Sequence, residues 1–380
     1  MKMIEFSNKT NILLNDIDVD LLYLNIYFDV GFKDDVDFQI GAAHLAEHII
    51  SKSVIKNLNL IQSPFSWNNA YVSKEYTCLW HVIKKEDENR IVSYIKEYLS
   101  LIQNVNKYNL INIDGEKERF YAENDAILAN TLLMNLLYIE YQLFTDGYSI
   151  PSFFCDTEEN YFTKLKENSI HMLSDRYKNS RITIVITGKI SSDILQSLTN
   201  MCVTRKVDDC EIINKVYENI KFPHYKKLCY IAYKICIYEL EGSIYQLDIL
   251  ARFYQIISSN YTYRKVICNY QIKVIDNEIL FAVFFYDKKG MDAFCSIDFN
   301  HALLSSVELI FSIKNELAFT LAKNLSDPFK MNFQIYKAYR DMHKLLNKME
   351  VLQTVYNITE NDLQCVHNLV RKNEALRYSE

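Results

Sequence analysis

The pentapeptide His44-Leu45-Ala46-Glu47-His48 constrains the fold of this chain more than any other feature. On a helix, side chains four residues apart lie on the same face, so the imidazoles of His44 and His48 can hold one metal ion. Glu47 lies three residues after His44 and points toward the same place, where it can take a proton from a water molecule at the metal. The pattern therefore requires a helix, and we predict one at residues 42–53.

Alternating and helical patterns elsewhere predict an α+β fold. Predicted strands lie at residues 21–30, 76–83, 181–187 and 228–240, with a hairpin at 264–286. Predicted helices cover residues 86–104, 114–131, 132–145, 158–178, 243–259, 301–324, 328–348 and 361–372. The order of elements repeats weakly after about residue 190, so we expect two related domains, each an antiparallel-rich sheet packed with helices. We place a zinc-binding catalytic domain at residues 1–195 and a second, metal-free domain at residues 205–380.

Composition excludes several classes of function. The net charge of -6, with no long run of Lys or Arg, argues against nucleic acid as a partner. No apolar stretch approaches the roughly 20 residues of a membrane span, and the N-terminus is too polar for a secretion signal. None of the nine cysteines forms a Cys-x-x-Cys pair, so we expect free thiols rather than a thiolate zinc site.

A catalytic zinc site takes three protein ligands and leaves a position for water. Two imidazoles come from the helical motif, and a carboxylate is a common third ligand. The best source is the acidic segment 114–125 on the third predicted helix, which contains Glu116, Glu118 and Glu123. A cluster of this kind is also typical of a solvated helix face, so its meaning depends on the motif.

Three segments resemble one family of zinc peptidases. These are Val30-Gly31-Phe32 followed by GAAHLAEHII, the stretch Asn69-Ala70-Tyr71-Val72-Ser73, and Glu116-Lys117-Glu118. They look like the pitrilysin/insulysin-type peptidases, the inverzincins, in which the zinc motif reads His-x-x-Glu-His. Within that group the chain is most similar to the poxvirus core metalloendopeptidases. The resemblance extends over about residues 20–190.

This resemblance implies a zinc site and a set of roles. His44, His48 and Glu116 would be the ligands, with Glu118 as the alternative third ligand, and Glu47 would be the general base. In the family a supporting Glu lies seven residues before the distal ligand. With Glu116 as that ligand, the supporting position is Asn109, which departs from the pattern.

The resemblance also implies a substrate strand and a biological role. Asn69 and Ala70 would belong to an edge strand onto which a peptide substrate adds as a further strand. The expected activity is that of a zinc-dependent endopeptidase that processes viral core protein precursors during virion maturation. It would act at the cytoplasmic assembly site of an infected cell and in the virion core, with a homodimer or a second chain completing the substrate chamber. The alternative is a catalytically inactive, inverzincin-like subunit with a scaffolding role in assembly.

Overall fold

The computed structural model describes residues 2–58, 67–144, 160–207, 226–240, 243–275, 277–342 and 347–379. The chain divides into two compact units, neither of which is continuous in sequence. The first unit consists of Met1–Leu128, Asp146–Pro223 and Asp327–Leu346. The second unit consists of Ala129–Thr145, His224–Ser326 and Asn347–Glu380.

The first unit is built on a six-stranded sheet. Its strands are β1 (Lys2–Phe6), β2 (Thr10–Asn15), β3 (Leu21–Phe28), β4 (Trp67–Val72), β5 (Thr77–Lys84) and β6 (Ile182–Thr187). They lie in the order β1-β2-β6-β3-β5-β4, and β2 pairs with β6 in parallel while the other neighbours are antiparallel. Both β2 and β6 are buried along their whole length, as expected for strands covered on both faces. Strand β4 is therefore at one edge of this sheet.

The second unit is built on a four-stranded antiparallel sheet. Its strands are β7 (Cys229–Cys236), β8 (Ile267–Ile275), β9 (Glu278–Phe285) and β10 (Glu374–Tyr378), in the order β10-β7-β9-β8. Strand β9 is the best buried, because every residue after Glu278 is inaccessible to solvent. Its β-branched and aromatic side chains fit a pleated surface that is covered on both sides.

Helices cover both sheets. In chain order they are α1 (Ala42–Asn57), α2 (Asn89–Gln103), α3 (Lys117–Leu128), α4 (Thr131–Leu143), α5 (Tyr161–Met172), α6 (Ser192–Val203), α7 (Tyr245–Thr262), α8 (Lys288–Ser296), α9 (Phe299–Leu304), α10 (Val307–Asn324), α11 (Pro328–Met342), α12 (Lys348–Asn357) and α13 (Glu360–Lys372). In the part of the chain that the structure describes, no helix has the length and hydropathy to cross a bilayer.

One face of the first sheet packs against α1, α2, α5 and α6, and its opposite face packs against α11. On that second face, Tyr27 stacks on Tyr336 with ring centroids 3.6 Å apart. Asn332 is fully buried, and its amide donates hydrogen bonds of 2.8 Å to the carbonyl of Tyr23 and to Asn25 Oδ1. A helix from the C-terminal half of the sequence therefore completes the core of the first unit.

The second unit contains a helix from the N-terminal half of the sequence. Lys273 on β8 donates to both carboxylate oxygens of Glu140 on α4, at 2.7 and 2.8 Å. Lys234 on β7 donates to the carbonyl of Leu143 at the end of the same helix. These contacts join α4 to the second sheet.

The predicted α+β class is confirmed, and two sheets packed with helices are present. The prediction missed β1, β2, β10, α6, α8 and α12. Short apolar runs such as that of β2 carry no distinctive period. The predicted helix at 301–324 is two helices, since the chain turns at Ser305 and Ser306, which are common residues in turns. The predicted hairpin is present as β8 and β9, although Asp276 is outside the described residues. The predicted division of the sequence at residues 195–205 stays a prediction.

Candidate metal centre

Helix α1 is firmly anchored at its start, where the metal motif begins. Gly41 takes a positive φ of 95°, which glycine adopts without strain, and the helix follows it. The buried carboxylate of Asp35 accepts hydrogen bonds from the backbone N–H groups of Gly41 and Ala43, at 2.8 and 2.7 Å. These bonds satisfy N–H groups that would otherwise be unpaired at a helix N-terminus. The motif is therefore held by a capped and buried helix.

The three polar side chains of the motif are buried although they can carry charge. His44, Glu47 and His48 have exposed fractions of only 6, 7 and 3%. Buried ionisable groups are costly unless they are paired or bind a metal.

Glu123 on α3 meets both imidazoles at once. Its Oε2 atom lies 3.3 Å from His44 Nε2 and 3.2 Å from His48 Nε2. These three ligand atoms all lie within 4.8 Å of one another, as a metal site requires. The other oxygen of Glu123, Oε1, accepts a hydrogen bond of 2.8 Å from Arg119 Nε.

Glu116 has a different position. His48 Nδ1 donates to Glu116 Oε2 at 3.1 Å, and Lys52 Nζ also contacts this oxygen. A proton on Nδ1 leaves the Nε2 lone pair of His48 free for a metal, which is how a carboxylate behind a metal-binding histidine orients the ring. Glu116 thus lies behind His48, on the side away from Glu123.

Glu47 lies beside the same cluster without joining it. Its Oε2 atom is 4.0 Å from His48 Nε2, and Ser51 Oγ donates to its Oε1 atom at 3.3 Å. Burial raises the pKa of Glu47, although the neighbouring His48 and His44 oppose this shift. A carboxylate with a raised pKa is suited to accept and later release a proton.

The electrostatics of the cluster favour a cation. The hydrogen bonds from His44 and His48 lower the pKa of Glu123. Burial lowers the pKa of His48, but the hydrogen bond to Glu123 and the charge of Glu47 outweigh it, so the net pKa is raised. The neighbouring carboxylates of Glu123 and Glu47 therefore favour the positively charged form of His48.

The residues fit a zinc ion. Two imidazole nitrogens and one carboxylate oxygen form the donor set of catalytic zinc sites that keep an open position. His44 Nδ1 is buried and has no hydrogen-bond partner among the described residues, so it adds no bond that would hold this ring in place. Among the residues that the structure describes, His44, His48 and Glu123 form the cluster of His, Cys, Asp or Glu side chains that could hold a metal.

The structure therefore groups Glu123, and not Glu116 or Glu118, with the two histidines. Glu118 is exposed on another face of α3. The spacing of 123 − 116 = 7 residues equals the spacing between the supporting Glu and the distal ligand in the family that the sequence resembles. Asn109 is not in that position, and instead binds Lys56 Nζ and Asn57 Nδ2. The sequence feature that could have pointed to Glu123 is this spacing, because Glu123 lies seven residues, or two helical turns, after another Glu.

The predicted substrate residues lie on edge strand β4, which packs against α1. Asn69 is exposed, and its Oδ1 accepts a hydrogen bond from the backbone N–H of Ala70 at 2.9 Å. Ala70 packs against the core beneath the sheet. The edge position agrees with the sequence-based expectation, whereas a role of either residue in substrate binding stays a prediction.

Comparison with known proteins finds likeness in structure alone. No protein-family model and no curated protein matches the chain. A conserved protein from Enterococcus faecalis V583 superposes with a TM-score of 0.69 at 10% identity, covering 98% of this chain and 96% of that one. A protease from Helicobacter pylori gives 0.62 at 10% identity, with the same coverages. The periplasmic protease PqqL from Escherichia coli gives 0.61 at 13% identity, and the match covers 98% of this chain and 46% of PqqL. At these identities the likeness shows the fold, and it confirms the expected pitrilysin-like α+β architecture.

Proposed function

We propose that this chain is a zinc-dependent endopeptidase. The observation that carries the proposal is the meeting of His44 Nε2, His48 Nε2 and Glu123 Oε2 beside the buried carboxylate of Glu47. His44, His48 and Glu123 would hold the zinc ion, and Glu116 would orient His48. Bound zinc would supply a Lewis acid that lowers the pKa of water toward about 7 and polarises a carbonyl group.

Glu47 performs the proton transfers in the proposed reaction. It accepts a proton from the water that attacks the peptide carbonyl, and then donates that proton to the leaving amine. Its raised pKa, caused by burial, allows both steps. The hydrogen bond from Ser51 holds one oxygen of Glu47, which leaves the other oxygen free for water.

The proposed substrate is an extended peptide bound along β4. An edge strand offers unpaired backbone N–H and C=O groups, to which a peptide adds as a further strand. Because α1 packs against β4, such a peptide would pass close to the motif. The likeness to a protease from Helicobacter pylori and to the protease PqqL supports a peptidase over other hydrolases.

A narrower proposal is supported by the sequence resemblance alone. The substrates would be precursors of viral core proteins, cleaved at the cytoplasmic assembly site of an infected cell and in the virion core. A homodimer or a second chain would complete the substrate chamber. Co-expression of a core precursor with the wild-type chain should shorten the precursor, and co-expression with Glu47→Gln should not.

Zinc content and hydrolysis, measured together, test the main proposal. Wild-type protein should contain stoichiometric zinc and cleave an unfolded protein substrate. Glu47→Gln should keep its zinc and lose activity by about 10²- to 10⁴-fold, because it removes the proton acceptor and no ligand. Glu118→Gln, an exposed change on α3, is the matched control and should behave as wild type.

Two outcomes would contradict the proposal. Normal turnover by Glu47→Gln would refute the assigned general base. Zinc binding without hydrolysis by the wild-type protein would favour the inactive, scaffolding subunit instead.

A further inference from the structure

We propose that Arg119 is a positioning residue that makes Glu123 a ligand through one oxygen only, so that the metal keeps an open coordination position. This inference rests on the proposed function, because it assumes that a metal binds at His44, His48 and Glu123. It goes further by giving a role to a residue outside the motif.

The two oxygens of Glu123 have separate partners. Oε2 faces the Nε2 atoms of both histidines, while Oε1 accepts the hydrogen bond from Arg119 Nε at 2.8 Å. Among the described residues, Arg119 makes the contact to Oε1. Arg119 lies one helical turn before Glu123, a spacing at which side chains of α3 are neighbours.

An unrestrained carboxylate can bind a cation through either one or both oxygens. Two-oxygen binding by Glu123 would fill a position that a catalytic site must leave for water or substrate. A charge-assisted hydrogen bond on Oε1 opposes this, because Oε1 would have to leave the guanidinium to reach the metal. The arrangement thus selects the binding mode of the ligand.

The expected contribution of this ion pair to stability is small. The side chain of Arg119 is 57% exposed, and that of Glu123 is 39% exposed. Exposed i,i+4 pairs contribute little to folding, so replacement of Arg119 should leave the protein folded. The effect of replacing Arg119 should therefore be seen in the coordination of the metal.

Three variants distinguish the effect of the hydrogen bond on the orientation of Glu123 from the effect of positive charge on α3. Arg119→Met removes the hydrogen bond and the charge but keeps a long side chain. Arg119→Lys keeps the charge and can still reach Oε1. Lys117→Met is the matched control, since it removes a positive charge from the same helix at a side chain that lies over the Phe162 ring.

The test uses Co²⁺ in place of zinc and records its visible absorption bands. These bands are intense in four-coordinate tetrahedral sites, which lack an inversion centre and so allow mixing of d and p orbitals, and they are weaker in five- and six-coordinate sites. Arg119→Met should lose band intensity, whereas Arg119→Lys and Lys117→Met should keep the wild-type spectrum. With zinc bound, Arg119→Met should also lose about 10- to 100-fold in kcat, the usual effect of losing an outer partner of a metal ligand.

Failure of this inference can be told apart from failure of the proposed function. If wild-type protein binds Co²⁺ and Arg119→Met has the same spectrum, Arg119 does not control the ligand and the inference is overturned. An equal spectral change in Lys117→Met would also overturn it, because charge alone would then be the cause. If wild-type protein takes up no Co²⁺ at all, the metal site itself is refuted, and the inference with it.

Discussion

His48 bonds through both ring nitrogens, and each nitrogen faces a different glutamate. Nε2 faces Glu123 on one side, and Nδ1 faces Glu116 on the other. We therefore expect the two glutamates to contribute unequally to metal binding, although both lie on the same acidic segment.

Substitution of each glutamate should show this difference. Glu123→Gln replaces the anionic ligand and should abolish tight zinc binding. Glu116→Gln should weaken binding by about 10- to 100-fold, because it disturbs only the orientation of His48. Competition with a coloured chelator measures both effects, and the exposed Glu118→Gln is the control. Equal losses in the Glu116 and Glu123 variants would contradict the assignment.

The burial of His81 lets us predict how the free energy of unfolding changes as the pH falls. Its Nε2 atom bonds to the hydroxyl group of Tyr98 at 2.9 Å, and its ring stacks on Tyr94 at 3.8 Å. Burial lowers the pKa of His81 from its ordinary value of 6.5 to about 3. The unfolded chain therefore binds a proton below pH 6.5 that the folded chain does not, so stability is lost as the pH falls from 6.5 toward 3.

Replacement of His81 by glutamine should reduce this loss. Glutamine keeps a hydrogen-bonding group for Tyr98 and does not titrate. Between pH 7 and pH 5, the free energy of unfolding should fall by about 2 kcal/mol less in His81→Gln than in wild type. Urea unfolding at the two pH values measures this, with the exposed His171→Gln as control. An unchanged pH dependence in His81→Gln would show that His81 is not the source.

At the scale of elements, the segment between β3 and α1 is packed against the turn between β4 and β5. Phe32 N–H donates to the carbonyl of Ser73, and Lys33 N–H donates to that of Lys74, both at 3.0 Å. Gly31 lies so close that an added Cβ atom would be 2.3 Å from the Lys74 oxygen. The absence of a side chain at Gly31 therefore allows the approach between the motif helix and the edge strand.

An alanine at position 31 should push these elements apart. The atoms that Cβ would meet are backbone atoms, which cannot move aside as a side chain end can. Gly31→Ala should destabilise the protein by about 1–3 kcal/mol, the range for overpacking. Thermal unfolding measures this, and Gly115→Ala is the control, because its nearest atom would be 3.7 Å away. A Tm equal to that of wild type would mean that the turn moves freely.

At the scale of the whole molecule, each compact unit includes a helix from the other half of the chain. The first unit takes α11, which covers the face of its sheet formed by Leu13, Tyr27 and Val185. The second unit takes α4. Division of the sequence at one point therefore removes a covering helix from each sheet.

A fragment of residues 1–207 should consequently fail to fold as a stable monomer. Without α11, an apolar sheet face would be exposed to water, which favours aggregation. Gel filtration and urea unfolding would show aggregates and no cooperative transition. A monomeric fragment that unfolds cooperatively would contradict this expectation and would support the predicted division at residues 195–205.

Patterns among near neighbours in sequence predicted much of the fold, and they predicted the part of the site that lies on helix α1. The motif predicted helix α1, because histidines four residues apart are close enough to share a metal on a helix but not on a strand. Runs rich in β-branched and aromatic residues predicted β3, β5 and β6. These features depend on neighbours in sequence, and the structure contains them.

Tertiary packing decided which carboxylate meets the two histidines. Glu116, Phe120 and Glu123 lie on one face of the α3 segment, whereas Glu118 points elsewhere. Phe120 is fully buried, with its ring centroid 4.9 Å from that of His44. This contact sets the register of α3 against α1, so that Glu123 reaches both Nε2 atoms and Glu116 reaches Nδ1 of His48.

The sequence by itself determined a helix bearing two histidines and a base, a set of acidic candidates, and an α+β fold. Only the tertiary structure decided which carboxylate meets the histidines, that Arg119 occupies its second oxygen, and which helices cover each sheet. The reason is physical: helix and strand periods act between near neighbours in sequence, whereas the geometry of the site depends on contacts between residues that are 68 to 79 positions apart.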